Sequence, residues 1–259
     1  MRAVLCNMIF LSLMTLGMAA CGARTTQEAP APSAQLARDV LEIQNLMGRR
    51  AFYHAAGRND LEFAMFALRK SDISWGHNQG YWVGADSIRK YYVDQHAEDS
   101  RANLARMTQL YPELKNDPAN LGAGEFVMHT LTTPVIEVAG DGQTAKGVWY
   151  TPGAVGVTDA QGRLTGAWLW ERYAVDFIRE DGQWRIWHFL VLTDFDVGMG
   201  RDVDPAAAHP GVPGTGESWD VNTKSYPRWS ATTVPALMPR LPEPYRTFSE
   251  TFSYGPPRS

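Results

Sequence analysis

The chain has 259 residues, enough for one large domain or two small ones. Its 44% hydrophobic and 20% charged content is that of an ordinary globular protein. A net charge of −4 is too mild to point to nucleic acid or an anionic membrane surface as partner. Nine Trp, ten Tyr and ten Phe direct attention instead to an aromatic-lined pocket, a large interface or a Trp-rich core.

Residues 1–21 read as a targeting segment. Arg2 gives a positive start, an apolar run follows, and Met18-Ala19-Ala20-Cys21 resembles a bacterial lipobox. This predicts a lipid-modified Cys21, a location in the cell envelope or periplasm, and membrane contact only through that anchor. Cys6 would leave with the signal, so the folded part would hold no disulfide and no thiolate nucleophile. Residues 22–35, small, polar and Pro-containing, read as a flexible tether.

From Leu36 to Gly57 an apolar stripe at 3–4 spacing (Leu36, Val40, Ile43, Met47, Ala51, His54) predicts a helix with His54 on its buried face. Arg49-Arg50 reads as its solvated edge. A second helix is expected over Leu61–Leu68, a short hairpin over Asp72–Val83 with His77 at the tip, and a third helix from Ser87 to Met107. Long strands follow at Glu125–Val138 and Thr144–Val157, with Pro134 marking a bulge or edge. The chain is organised around the next stretch, LTGAWLWERYAVDFIREDGQWRIWHFLVLTDF, two long strands joined by an Asp-Gly turn. Alternation places Trp168, Trp170, Arg172, Ala174 and Asp176 on one face and Glu171, Tyr173, Val175 and Phe177 on the other. The fold class is α+β, an antiparallel meander with N-terminal helices on one face of a curved sheet. Residues 196–259 hold ten of the sixteen prolines yet keep seven Trp, Tyr or Phe residues. They read as an extended arm that docks on this domain or on a neighbouring subunit, consistent with a homo-oligomer.

His129, mid-strand, reads either as a buried histidine bonded to backbone or as a general acid/base with a near-neutral pKa. His54 and His188 could converge with it. No pair has metal-ligand spacing such as HxH or HxxxH, so no metal is expected. Tyr53, Tyr150 and Tyr173 offer hydroxyls for a developing oxyanion. Arg172, if it pointed inward, would be a buried cation needing an anionic partner. There is no GxSxG nucleophile elbow and no glycine-rich phosphate loop.

The order of elements resembles the SnoaL-like branch of the nuclear transport factor two-like superfamily, a cone-shaped α+β barrel. The matching pieces are LEIQNLMGRRAFYHAAGRNDLEFAMFAL, GYWVGADSIRKYY, HTLTTPVIEVAGDGQTAKGVWY and YAVDFIREDGQWRIWHF, over Leu36 to Phe195. His129 falls where scytalone dehydratase-like members carry a pocket histidine. Their second histidine is replaced by the region of Trp168 and Trp170, and their helix-end Tyr-Asp by Ala56-Gly57, so paired-histidine dehydration is not carried over. The aromatic complement and the YRTFSETFSYGP tail are similar to the superfamily's lignin-dimer lyases, which release formaldehyde without a cofactor. The resemblance implies a cofactor-independent lyase, dehydratase or isomerase on a small aromatic substrate. His129, paired with His54, would be acid/base; Tyr173 and Tyr150 would hold an oxygen and Arg172 would steady negative charge. Tyr53, Trp75, Tyr81, Trp82, Trp168, Trp170 and His188 would contact substrate. The alternative is a binding or interaction lipoprotein with the same cone, filled by its own side chains.

Overall fold

A computed structural model describes residues 32–199, 218–224, 226–234 and 236–257. The predicted targeting segment with Cys21, most of the tether and the start of the arm lie outside the described residues. Helix α1 (Pro32–Ala55) begins four residues before the predicted start, inside the expected tether. Its stripe packs from Ile43 on, with Ile43 and Met47 fully buried, but Leu36 at its start is exposed, and Arg50 joins the buried face at 3% exposure rather than lying on a solvated edge. A short α2 (Asn59–Phe63) follows. Strands β1 (Ser74–His77) and β2 (Gly80–Val83) form the expected hairpin. His77 is not at a solvent tip; it is a buried strand residue. The single helix predicted over Ser87–Met107 is three pieces: α3 (Ala85–Arg89), a π-helical turn (Lys90–Gln95) and α4 (His96–Leu110). The wide π turn carries the adjacent Tyr91 and Tyr92, both of which reach inward partners.

Each of the two long strands after α4 is broken in its middle. The first is β3 (Glu125–His129) and β4 (Thr132–Val138); the second is β5 (Thr144–Tyr150) and β6 (Gly153–Thr158). Pro134 and Pro152 sit beside the breaks, and Thr133 adopts a positive φ of 51° at an irregular step in the β4–β5 register. Proline lacks a ladder donor, so the sheet bends there. The organising hairpin is as predicted: β7 (Leu164–Glu180) and β8 (Gln183–Gly198), turned by Asp181 and Gly182, both at positive φ. Strand β7 is long enough to pair with β6 along its first half and β5 along its second, which curls the sheet around the helices. The order is β3-β6-β7-β8-β1-β2-β9, where β9 is Val221–Asn222, with β4 and β5 branching from β7. The sheet is mixed rather than purely antiparallel, because β1 runs parallel to β8.

Two bulges in β8 reset the alternation. One lies opposite the Asp176/Phe177 step and the other opposite Trp170/Glu171. The first separates residues that simple alternation places together. Trp184 and Ile186 belong to the core under α1 and α2, whereas His188 is paired with Asp176 on the other face. The concave face, packed on the helices, carries Glu171, Tyr173, Val175, Phe177, Phe189, Val191 and Thr193. The convex face carries Arg172, Ala174, Asp176, His188, Leu190 and Leu192.

The described part of the C-terminal arm lies across this same chain. Strand β9 (Val221–Asn222) pairs with β2, and Trp219 stacks on Trp82 with ring centroids 3.9 Å apart. Gly80 permits this approach: a Cβ there would fall 2.5 Å from the Trp219 ring. Farther on, Phe252 and Tyr254 pack over Val148 and Ala174 on the convex face. Lys146 is fully buried there, its Nζ 2.5 Å from Asp176 Oδ1 and within 4.6–4.9 Å of the Phe248, Phe252 and Tyr254 rings. Asp176 Oδ2 accepts from Ser253 Oγ and from the Tyr254 backbone N–H.

Candidate active site

Two buried carboxylates organise the interior of the cone. The first, Glu171, lies on the concave face of β7 because it alternates with Tyr173. Its Oε1 accepts from Thr193 Oγ1 at 2.8 Å, and Thr193 Oγ1 lies 3.1 Å from His77 Nε2. Thr193 has one proton and gives it to Glu171, so His77 must be the donor to Thr193 and carries its proton on Nε2. The other carboxylate oxygen, Oε2, lies 3.3 Å from His129 Nδ1. That contact is close enough for charge attraction but out of line for a hydrogen bond, leaving Nδ1 buried without one.

The second carboxylate, Glu62, enters from α2 and is fully buried. Tyr92 OH donates to its Oε2 at 2.6 Å, Arg50 lies 3.2 Å from the same atom, and His54 Nδ1 lies 3.0 Å from Oε1. Arg50 also donates to Tyr92 OH at 2.7 Å and sits over the Phe189 ring at 4.2 Å. The two clusters meet through His54 and His129, whose ring centroids are 5.1 Å apart. In each histidine Nδ1 faces a carboxylate. The proton belongs on Nδ1 there, which leaves Nε2 as a bare acceptor. Tyr173 stands 6.2 Å from the His129 ring, and Arg50 lies 5.3 Å from the Tyr173 ring.

Electrostatics match this geometry. Burial alone would raise both carboxyl groups. His129, His77 and Thr193 outweigh it at Glu171, and His54, Arg50 and Tyr92 at Glu62, so both are held below the usual carboxylate range. Burial pushes His54 down and keeps the Tyr173 hydroxyl protonated well above its usual range. It also pushes His77 down to about 4, with Arg228 acting in the same direction and Glu171 against it. An unfolded chain would protonate His77 near pH 6.5, so neutral His77 contributes stability that is complete above that pH. The contribution is lost as pH falls toward 4, by about 3 kcal/mol in all. The melting temperature should therefore drop between pH 7 and pH 4.5, and drop less in a His77→Gln chain. Parallel pH profiles for the two chains would contradict this.

The structure brings together His129, His54 and Tyr173 as expected. Tyr53 packs part-buried against the same core. Trp75 and Trp82 also lie inside, but they stack on one another at 5.2 Å and on Tyr91 and Trp219. The other expected residues are on the convex face, so Tyr150 and Arg172 do not join His129. Pairing of Tyr150 with Arg172, one residue out of phase with Tyr173, sends both outward. Arg172 is held by Asp194 and Tyr226 OH. Trp168 and Trp170 are nearly half exposed, and Trp170 stacks on Phe195. Tyr81 donates to the Tyr254 carbonyl, and His188 Nδ1 lies 2.8 Å from Asp176. The cation of the interior is Arg50 instead. Its position, three residues after Met47 and four before His54, is the signal that could have placed it there. Glu62, Tyr92 and Thr193 were missed because only tertiary folding aims them inward.

Similarity to known proteins follows the fold. Among solved structures, Rv3472 from Mycobacterium tuberculosis, a protein of unknown function, is 20% identical, covering 64% of this chain and 77% of that one with a TM-score of 0.42. A protein of Novosphingobium aromaticivorans provisionally assigned as a scytalone dehydratase is 12% identical, covering 68% and 99%, with a TM-score of 0.48. Hexachlorocyclohexane dehydrochlorinase (LinA) type 2 is 14% identical, covering 70% and 100%, with a TM-score of 0.44. A search of curated proteins gives no match. The family model for a SnoaL-like domain matches residues 35–189, the helices, the curved sheet and both histidine–carboxylate pairs. The chain belongs to the SnoaL-like domain family.

Proposed function

We propose that the protein is a lyase of the dehydratase type that acts on a small aromatic molecule by acid/base chemistry inside the cone. The observation that carries this reading is the pair of histidines, each backed by a buried carboxylate, with rings 5.1 Å apart. A carboxylate behind Nδ1 fixes the ring and stabilises the imidazolium that forms when Nε2 takes a proton. In a dehydration, His129 Nε2 takes the C–H proton next to the oxygen-bearing carbon. The C–H electron pair becomes the new double bond, the C–O bond breaks, and the proton leaves with the oxygen as water. No electrons are gained or lost. The Tyr173 hydroxyl and the Arg50 guanidinium supply the donor and the charge that steady negative charge on oxygen. Buried Trp75 Nε1 has no hydrogen-bond partner among the described residues, which suits a site completed by a ligand.

A binding protein without chemistry is the second reading. It is favoured by one observation, the 7% exposure of the His129 side chain, which leaves the imidazole shut off from bulk water. The two part company when purified protein is incubated with phenolic monomers and dimers and the products are read by mass. Loss of water or formaldehyde supports the lyase. An aromatic that binds and returns unchanged supports the binding protein and overturns the first reading.

A further inference from the structure

A cavity lies outside the cone, between the convex face of the sheet and the arm. Its volume is about 1170 Å³, ample for a drug-sized molecule. Leu190 and Leu192 of β8 and Tyr81 of β2 form the floor; Met238, Phe248 and Phe252 of the arm form the opposite wall. The charges around it are one-sided. Lys224 and Arg240, both exposed, stand at the rim, and among the described residues no aspartate or glutamate lines the cavity. This is the reverse of the chain as a whole, which carries a net charge of −4. Arg240 is only loosely engaged, 3.8 Å from the exposed Glu243, while its guanidinium lies over the Phe252 ring at 4.5 Å. Two carboxylates behind the lining are already matched, Asp176 by Lys146 and Asp194, which accepts from Tyr226, by Arg172.

We propose that this cavity binds an amphipathic anion, an apolar chain or ring system ending in a carboxylate. The apolar part would lie on Leu190, Leu192 and Phe252, and the carboxylate would meet Lys224 and Arg240 at the opening. An apolar trough alone would take any greasy molecule; the exposed cations Lys224 and Arg240 make the charge of the head group decisive. His77 of the Glu171 network also lines this cavity, but His54, His129, Glu62, Glu171 and Tyr173 do not, so the site stands or falls apart from the lyase reading.

The test is calorimetric binding of dodecanoate, dodecan-1-ol and dodecyltrimethylammonium to the full chain, all below their micelle concentrations. Dodecanoate should bind at least tenfold more tightly than the alcohol, and the ammonium should bind worst. A Lys224→Gln/Arg240→Gln chain, altered only at exposed positions and so expected to fold, should lose at least fivefold for dodecanoate and nothing for the alcohol. Leu192→Trp, which fills the floor, should abolish binding of both if melting shows the chain folded. Equal binding of the three amphiphiles overturns the proposal, as does absence of dodecanoate binding. Dodecanoate binding that survives the double substitution places the ligand elsewhere and overturns it too.

Discussion

His129→Ala should lower turnover by about 10²- to 10⁴-fold, the usual contribution of a positioned general base, while the protein stays folded. The geometry behind this is specific. Glu171 is fixed on its other side by Thr193, so it presents Oε2 to His129 Nδ1 and leaves Nε2 as the acceptor. Removing the imidazole leaves no equivalent base at that position, because His54 is committed to Glu62 on a different element. The fall should appear in kcat, with the far-ultraviolet spectrum unchanged and the melting temperature lowered only slightly. Glu171→Gln, which removes the charge facing the ring, should also lower kcat while the protein stays folded. A folded His129→Ala protein with full turnover would remove His129 from the mechanism.

The largest effect on stability should come from Asp176→Ala on the opposite face. Both Lys146 and Asp176 are fully buried, and breaking such a pair leaves a charge stranded in a low-dielectric site. The expected cost is about 3–5 kcal/mol, a fall in melting temperature of about 10 °C for a domain of this size. The loss should exceed that of a simple ion pair, since the same carboxylate accepts from His188, Ser253 and the Tyr254 backbone. Lys146→Met/Asp176→Leu should recover much of the stability, because both charges vanish and the aromatic cage still has something to pack against. Denaturant melts of the single and double variants decide it. A single variant as stable as the parent would show that the pair is not the clamp described above.

Much of this architecture could be read from residues. The β7–β8 hairpin announced itself by period-2 alternation on either side of Asp181-Gly182, and α1 by its stripe, because both patterns are local. The faces of β7 followed from the same alternation, which is why Glu171 and Tyr173 could be grouped apart from Arg172. What failed were places where one residue breaks a count. The extra residue at each β8 bulge shifts everything beyond it to the other face, which moved His188 out of the company of Trp184 and Ile186. The π turn did the same for the helix after Asp86. Arg50 was misjudged because a charged residue beside Arg49 reads as solvated; only Glu62 and Tyr92, arriving from other elements, make its burial tolerable. The histidine–carboxylate pairs join residues 8 and 42 positions apart in sequence, and no spacing rule connects them.

The clamp on Asp176 also sets a schedule for the growing chain. The strands that carry Lys146 and Asp176 are synthesised well before the residues that cover them. Tyr254 lies 78 residues beyond Asp176, and Tyr245 lies 101 beyond its partner Thr144. At ribosomal speeds of roughly 5–20 residues per second, that separation corresponds to about 4–20 s. During that interval an apolar sheet face with a half-paired lysine stands open, much longer than a hairpin takes to form. The face of the sheet that carries Lys146 and Asp176 is therefore completed last, when the arm closes over it.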